Sequence, residues 1–129
     1  MRYAIFCYQA EDEVFAMSKT QDDAMMAELA ETKSQIRKKT KFGPVARLMP
    51  TTSATTVREG HNIVVLDGPF AETKEQLLGF YVVECATLEE AIDAAKALAG
   101  PRSAAGLRGA LEIRPIRFFE TGDISGDTL

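Results

Sequence analysis

The sequence predicts an α+β fold with an antiparallel sheet, and three observations predict it. Strand-like and helix-like runs follow one another in the order β-α-β-β-α-β, with an extra hairpin in the middle. Each of the two helix-like runs carries a single apolar stripe, so each has one face to bury. Two strand-like runs are apolar on both faces, so both faces need cover. Two helices cover only one face of a four-stranded sheet. A second copy of the same sheet is the simplest cover for the other, and a homodimer packed sheet to sheet is expected.

Arg2 to Tyr8 reads as the first strand, aromatic and β-branched without a breaker. Tyr3, Ile5 and Cys7 point one way, and Ala4, Phe6 and Tyr8 the other. Gln9 to Lys19 reads as a polar, acidic connection. Thr20 is placed to cap a helix whose first turn holds Asp22 and Asp23. Met26, Leu29, Lys33 and Ile36 then recur at helical spacing, with Met25 and Ala30 widening the stripe. Such methionines read as core filler. Gly43 and Pro44 are expected to stop this helix.

Val45 to Met49 reads as a short edge strand ended by Pro50. Ala54 to Arg58 and Asn62 to Leu66 flank Glu59-Gly60-His61 and read as a hairpin. A polar loop beginning at Asp67 leads to a strand from about Gly79 to Cys85. Thr87-Leu88-Glu89-Glu90 has the form of a capping box. The helix it opens carries Leu88, Ala91, Ile92, Ala95 and Leu98 on one side, and Gly100-Pro101 is expected to end it. Arg102 to Gly109 reads as a flexible loop, Ala110 to Phe119 as the last strand, and Glu120 to Leu129 as a polar tail. The fold class is thus a ferredoxin-like β-α-β-β-α-β sandwich with an extra hairpin, forming a dimeric α+β barrel. Residues 1–119 are one domain and 120–129 its tail.

Composition narrows the function. A chain of 129 residues, 46% hydrophobic and 26% charged, is of ordinary globular make-up. A formal charge of -4 argues against direct nucleic-acid binding, which needs a concentrated basic face. The one basic cluster, Arg37, Lys38, Lys39 and Lys41, reads as charge at a helix C-terminus. Cys7 and Cys85 lie in apolar runs and read as small buried hydrophobes. No apolar run approaches the ~18 residues of a membrane span, and no signal-peptide pattern opens the chain. The expectation is a soluble cytoplasmic protein without membrane association.

Candidate chemistry gathers in the stretch from Asp67 to Tyr81. Asp67 sits at a strand end, where a partly buried carboxylate can act as a general base. Equally, Asp before Gly-Pro commonly fixes its own turn. Gly68 and Pro69 read as conformational, and Phe70 as an anchor for the loop in the core. Glu72 and Lys74 either complete a site or pair on the surface. Glu84, Glu112 and Arg114 interrupt apolar strands; an inward Arg114 would suit an anionic ligand group. Tyr8 and Tyr81 lie on the central strands, with core packing or hydroxyls aimed at a pocket as the two readings. His61 reads as an exposed turn residue. One His and two separated Cys make no zinc site. Phosphate-loop, dinucleotide and nucleophile-elbow patterns are missing from the sequence, and no cofactor or metal is expected.

The run Asp67-Gly68-Pro69-Phe70-Ala71-Glu72-Thr73-Lys74-Glu75-Gln76-Leu77-Leu78-Gly79-Phe80-Tyr81 resembles the YCII-related family in its DGPF-motif branch. Ala54-Thr55-Thr56-Val57-Arg58, Leu88-Glu89-Glu90-Ala91 and Leu111-Glu112-Ile113-Arg114-Pro115-Ile116 extend the resemblance over nearly the whole chain. It departs from that pattern at Leu78, more often Gly, and in a longer loop before the last strand. The resemblance implies the ferredoxin-like fold and the dimeric α+β barrel. It also implies a small-molecule pocket, since members of the wider group were proposed as enzymes through a His and Asp pairing. That pairing does not transfer to His61. Related domains adjoin extracytoplasmic-function sigma factors, which implies a regulatory sigma-factor partner as the alternative. The leading expectation is a small-molecule ligand in a pocket between sheet and loop. There, cofactor-free acid–base catalysis would use Asp67 as base, with Tyr8, Glu72, Lys74, Tyr81 and Arg114 as ligand-binding residues.

Overall fold

The computed structural model describes residues 1–127; the end of the expected tail, Thr128 and Leu129, lies outside them. The chain runs β1 (Arg2–Gln9), α1 (Glu11–Phe15), α2 (Lys19–Ile36), β2 (Lys41–Arg47), β3 (Thr55–Arg58), β4 (Val64–Asp67), β5 (Gln76–Glu84), α3 (Leu88–Ala104) and β6 (Gly109–Pro115). Four strands form one antiparallel sheet in the order β2-β5-β1-β6, and β3 and β4 form a separate hairpin.

The two-faced character of β1 decides where the core lies. Tyr3, Ile5, Cys7 and Gln9 are buried, while Ala4, Phe6 and Tyr8 are only half-buried. In β5, Tyr81 and Val83 pair with Ile5 and Tyr3 and join the same buried side. Met25 and Leu29 of α2 and Ala91, Ala95 and Leu98 of α3 pack onto it. Alanines on α3 keep that helix close to the sheet. Ile5, Leu29, Leu98 and Val83 are fully enclosed. Each such burial contributes about 1.5–3 kcal/mol relative to an exposed side chain.

Local chemistry moves several boundaries away from the sequence-based expectations. The acidic connection contains a third helix, α1, whose Val14 is buried. Its Glu11 carboxylate accepts from the Thr51 N–H (2.9 Å) and hydroxyl (2.5 Å), and the Glu11 N–H donates to Gln76 (2.9 Å). These three bonds tie the turn at Thr51–Ser53 and the start of β5 to α1. Ser18, not Thr20, caps α2, in a reciprocal capping box with Gln21. A Ser cap contributes about 1 kcal/mol.

Gly43 and Pro44 do not stop a helix. They lie inside β2, opposite Val82 alone, between the pairs Phe42–Val83 and Val45–Tyr81. This is a bulge on an edge strand, where a proline's missing N–H is tolerated. Nor does Gly100-Pro101 end α3. Pro101 is buried within the helix, and Gly106 makes the stop with φ 81°. There Leu107 N–H donates to the Arg102 carbonyl and Gly106 N–H to Ser103, which closes the helix end on a left-handed residue. The first three residues of the expected loop, 102–104, are therefore helix. β5 begins at Gln76, earlier than expected, and β6 ends at Pro115, before Phe119. Residues 120–127 form no helix or strand. No helix among the described residues is long and apolar enough to cross a membrane.

Candidate functional site

A cavity of about 400 Å³ lies between α2 and the helix-facing side of β1, β5 and β2. Met25 and Leu29 wall it on the α2 side, Cys7 and Tyr81 form its floor, and Val45 and Leu48 bound it opposite. Close approach of β2 and β5 gives it its shape. A Cβ on Gly79 would lie 2.6 Å from the Ala46 carbonyl oxygen, so only glycine allows the strands this near.

Two cations without a carboxylate partner among the described residues line the cavity. Arg102, one turn beyond Leu98 on α3, donates to the Leu98 carbonyl (2.8 Å) and to the Tyr81 hydroxyl (2.8 Å). Its guanidinium lies 5.5 Å from the Tyr81 ring centroid. A guanidinium has five N–H donors, so these two contacts leave others open to the cavity. Lys33 of α2 is half-buried, and its ammonium makes no hydrogen bond or ion pair among the described residues. Burial, and then the Arg37 and Arg102 charges, hold its pKa below the ordinary lysine value. A lysine held low in the folded state costs stability wherever it is charged. That cost is full below the lowered folded pKa and is gone once pH passes the ordinary lysine value.

The other charges around the cavity are compensated. Arg47 on β2 holds Asp22 on α2 with two bonds of 2.9 and 3.3 Å, and Lys19 pairs with Asp23 at 2.7 Å. Cys7 faces the cavity, but burial raises its pKa against a smaller lowering effect from Arg102, so the thiol stays protonated at neutral pH. A second hollow, about 620 Å³ and more open, lies between α2 and the end of α3. It is lined by small residues with Glu13 and Glu28 and has no cationic side chain. Among the described residues no three His, Cys, Asp or Glu side chains are grouped as a metal site.

The sequence-predicted residues are not brought together. Tyr81 lines the cavity; Asp67, Glu72, Lys74, Tyr8 and Arg114 do not. Tyr8 points to the opposite face of the sheet from Tyr81. Arg114 is exposed on β6, opposite Ala4, and shares Tyr8's face with Glu112, which stands opposite Phe6. Glu84 pairs with Arg2 at 3.1 Å. Asp67 is exposed at the end of β4, and its carboxylate makes no hydrogen bond among the described residues. The turn is held instead by Thr56, whose hydroxyl donates to the Gly68 carbonyl (2.7 Å), and by Gly68 N–H to Ala54 (2.7 Å), with Gly68 at φ 90°. Glu72 and Lys74 are exposed and form no ion pair with each other. Phe70 is 75% exposed, which corrects its expected role as a core anchor: the hairpin and its loop stand off the main sheet, out of the core's reach.

Lys33 and Arg102 were not among the expected site residues. Lys33 had a legible signal, a cation in register with the apolar stripe of α2. Arg102 had none, because Pro101 reads as a helix end.

Comparison with known proteins agrees with this architecture. The YCII-related domain matches residues 1–120, and the chain belongs to that family. An uncharacterised protein of Rhizobium meliloti (strain 1021) is 43% identical over 125 residues, covering 96% of this chain and 98% of that protein. Among solved structures, similarity extends to the 5-chloro-2-hydroxyhydroquinone dehydrochlorinase TftG of Burkholderia phenoliruptrix AC1100, in complex with 2,5-dihydroxybenzoquinone. The TM-score is 0.50 with 15% identity, covering 95% of this chain and all of the other. That likeness concerns the mixed α+β fold with antiparallel sheets.

Proposed function

We propose that this protein binds a small organic molecule in the cavity between α2 and the sheet. The observation that carries the reading is the cavity itself: a volume within the ~300–1,000 Å³ of small-molecule sites, apolar walls, and a few convergent polar groups. The fold neighbour is a dehydrochlorinase whose structure holds a small quinone, which supports a compact ring as the kind of occupant. The geometry favours binding here over base catalysis by Asp67, which stands outside the cavity.

In this reading the protomer is a ferredoxin-like sandwich of the DGPF branch. Two protomers pair through the sheet face that carries Phe6, Tyr8 and Phe80. Exposed Val57, Val65, Leu66 and Phe70 of the hairpin region supply further apolar surface for the same contact. Sedimentation equilibrium that returned only the monomer mass at tens of micromolar would remove the dimer from the account.

The test of the site uses a thermal-shift screen of aromatic and short-chain metabolites. A ligand at a hundred times its dissociation constant adds about 2.7 kcal/mol to stability. Val45 is 40% exposed at the cavity wall, so Val45→Trp fills the space without disturbing the core. Any hit is expected to lose at least tenfold in affinity in Val45→Trp and less than twofold in Asp67→Asn. The reverse pattern would move the site to the Asp67 loop.

A further inference from the structure

We infer that the cavity selects an anion: a carboxylate on a compact apolar body, its charged end seated between the Lys33 ammonium and the Arg102 guanidinium. This inference rests on the cavity being the ligand site. Its basis is a charge imbalance in a confined space. Of the four cations around the cavity, Arg47 and Lys19 are each held by a carboxylate, Asp22 and Asp23. Lys33 and Arg102 have no carboxylate partner among the described residues, and burial and then the neighbouring Arg37 and Arg102 charges disfavour the Lys33 charge.

A cation that has given up part of its water without gaining a counter-ion is a standing penalty. An anion entering the cavity relieves the penalty at Lys33 and gives Arg102 the carboxylate partner it lacks. A neutral ligand of equal shape does neither.

The geometry also favours a planar anion. Arg102 is fixed by its bonds to Leu98 and Tyr81, so its remaining N–H groups are held in place before a ligand arrives. A fixed, planar guanidinium suits the flat fork of a carboxylate, and Lys33 adds a mobile point charge from the α2 side. Beyond that end the walls are Met25, Met26, Leu29 and Leu78, which suit an aromatic or short aliphatic body. Acid and apolar body together describe an aryl or short-chain carboxylic acid.

Isothermal titration of the full chain with cinnamate and its neutral isostere cinnamamide tests this. Cinnamate is expected to bind at least tenfold more tightly than the amide. Lys33→Met is expected to remove most of that preference while changing amide affinity less than twofold, and Lys33→Arg to retain it. The Lys33 ammonium makes no hydrogen bond among the described residues, so Lys33→Met is expected to melt at or above the wild-type temperature, which confirms folding. Equal affinity for acid and amide, with both lost in Val45→Trp, would overturn the anion seat and leave the cavity reading standing. Failure of both probes to bind at millimolar concentration would overturn both.

Discussion

Gly79→Val is expected to destabilise the protein by about 2–4 kcal/mol, because a side chain there meets backbone and not a movable side chain. The first added carbon would lie 2.6 Å from the Ala46 oxygen. Relief requires β2 to move away from β5, and β2 carries Val45 and Ala46 along the cavity. The substitution therefore acts on fold and site together. Gly100→Ala is the matched control. A Cβ at Gly100 meets nothing within 4 Å outside its chain neighbours, and the residue lies inside α3 just before Pro101. Alanine there gains helix propensity, offset by the contact of its Cβ with the Pro101 ring, and a net change within about 0.5 kcal/mol is expected. Urea titration of both variants checks the pair. A neutral Gly79→Val would show that the two strands can separate at little cost.

Leu29→Ala is expected to cost about 2–5 kcal/mol, the range for truncating an enclosed leucine where neighbours cannot collapse. Leu29 is 2% exposed, packs with Met25 against Cys7 and Tyr81 in the core, and lines the cavity. The void it leaves joins an existing space, so relaxation offers little recovery. The same change should enlarge the cavity and shift ligand preference toward bulkier bodies. A loss below about 1 kcal/mol, measured by denaturant titration at constant slope, would mean that α2 settles onto the sheet and closes the cavity.

The outline of the fold was legible because most of it is written in local pattern. The alternation in β1, the hairpin about Gly60 and the Thr87 cap of α3 are each set by neighbours in sequence. Boundaries failed where a residue's usual local meaning was overridden. Gly43-Pro44 reads as a helix stop, yet it makes a bulge because an edge strand does not need every N–H. Pro101 reads as a terminator, yet α3 runs past it to a glycine stop at Gly106. The Ser18 cap was missed because Thr20 and the acidic pair after it offer a similar pattern two residues later.

The site was less legible for a physical reason. Its parts, Cys7, Lys33, Leu78, Tyr81 and Arg102, are distant along the chain and are joined only by sheet pairing and helix packing. The stretch at Asp67 drew attention because its polar residues are neighbours in sequence, but in the structure they are exposed side chains around a turn. Of the expected site residues, only Tyr81 lines the cavity. Lys33 was the available clue: a charged residue in register with an apolar stripe implies either a snorkelling stem or a buried function, and the nearby Arg102 favours the second.

The most direct test of the central claim is an isotope-filtered nuclear Overhauser experiment on methyl-labelled protein with bound cinnamate. The account predicts cross-peaks from the ligand ring to the methyl groups of Met25, Met26 and Leu29. Cross-peaks to Val82 on the opposite sheet face, or to Val65 and Leu66 of the hairpin, without any to α2, would contradict it.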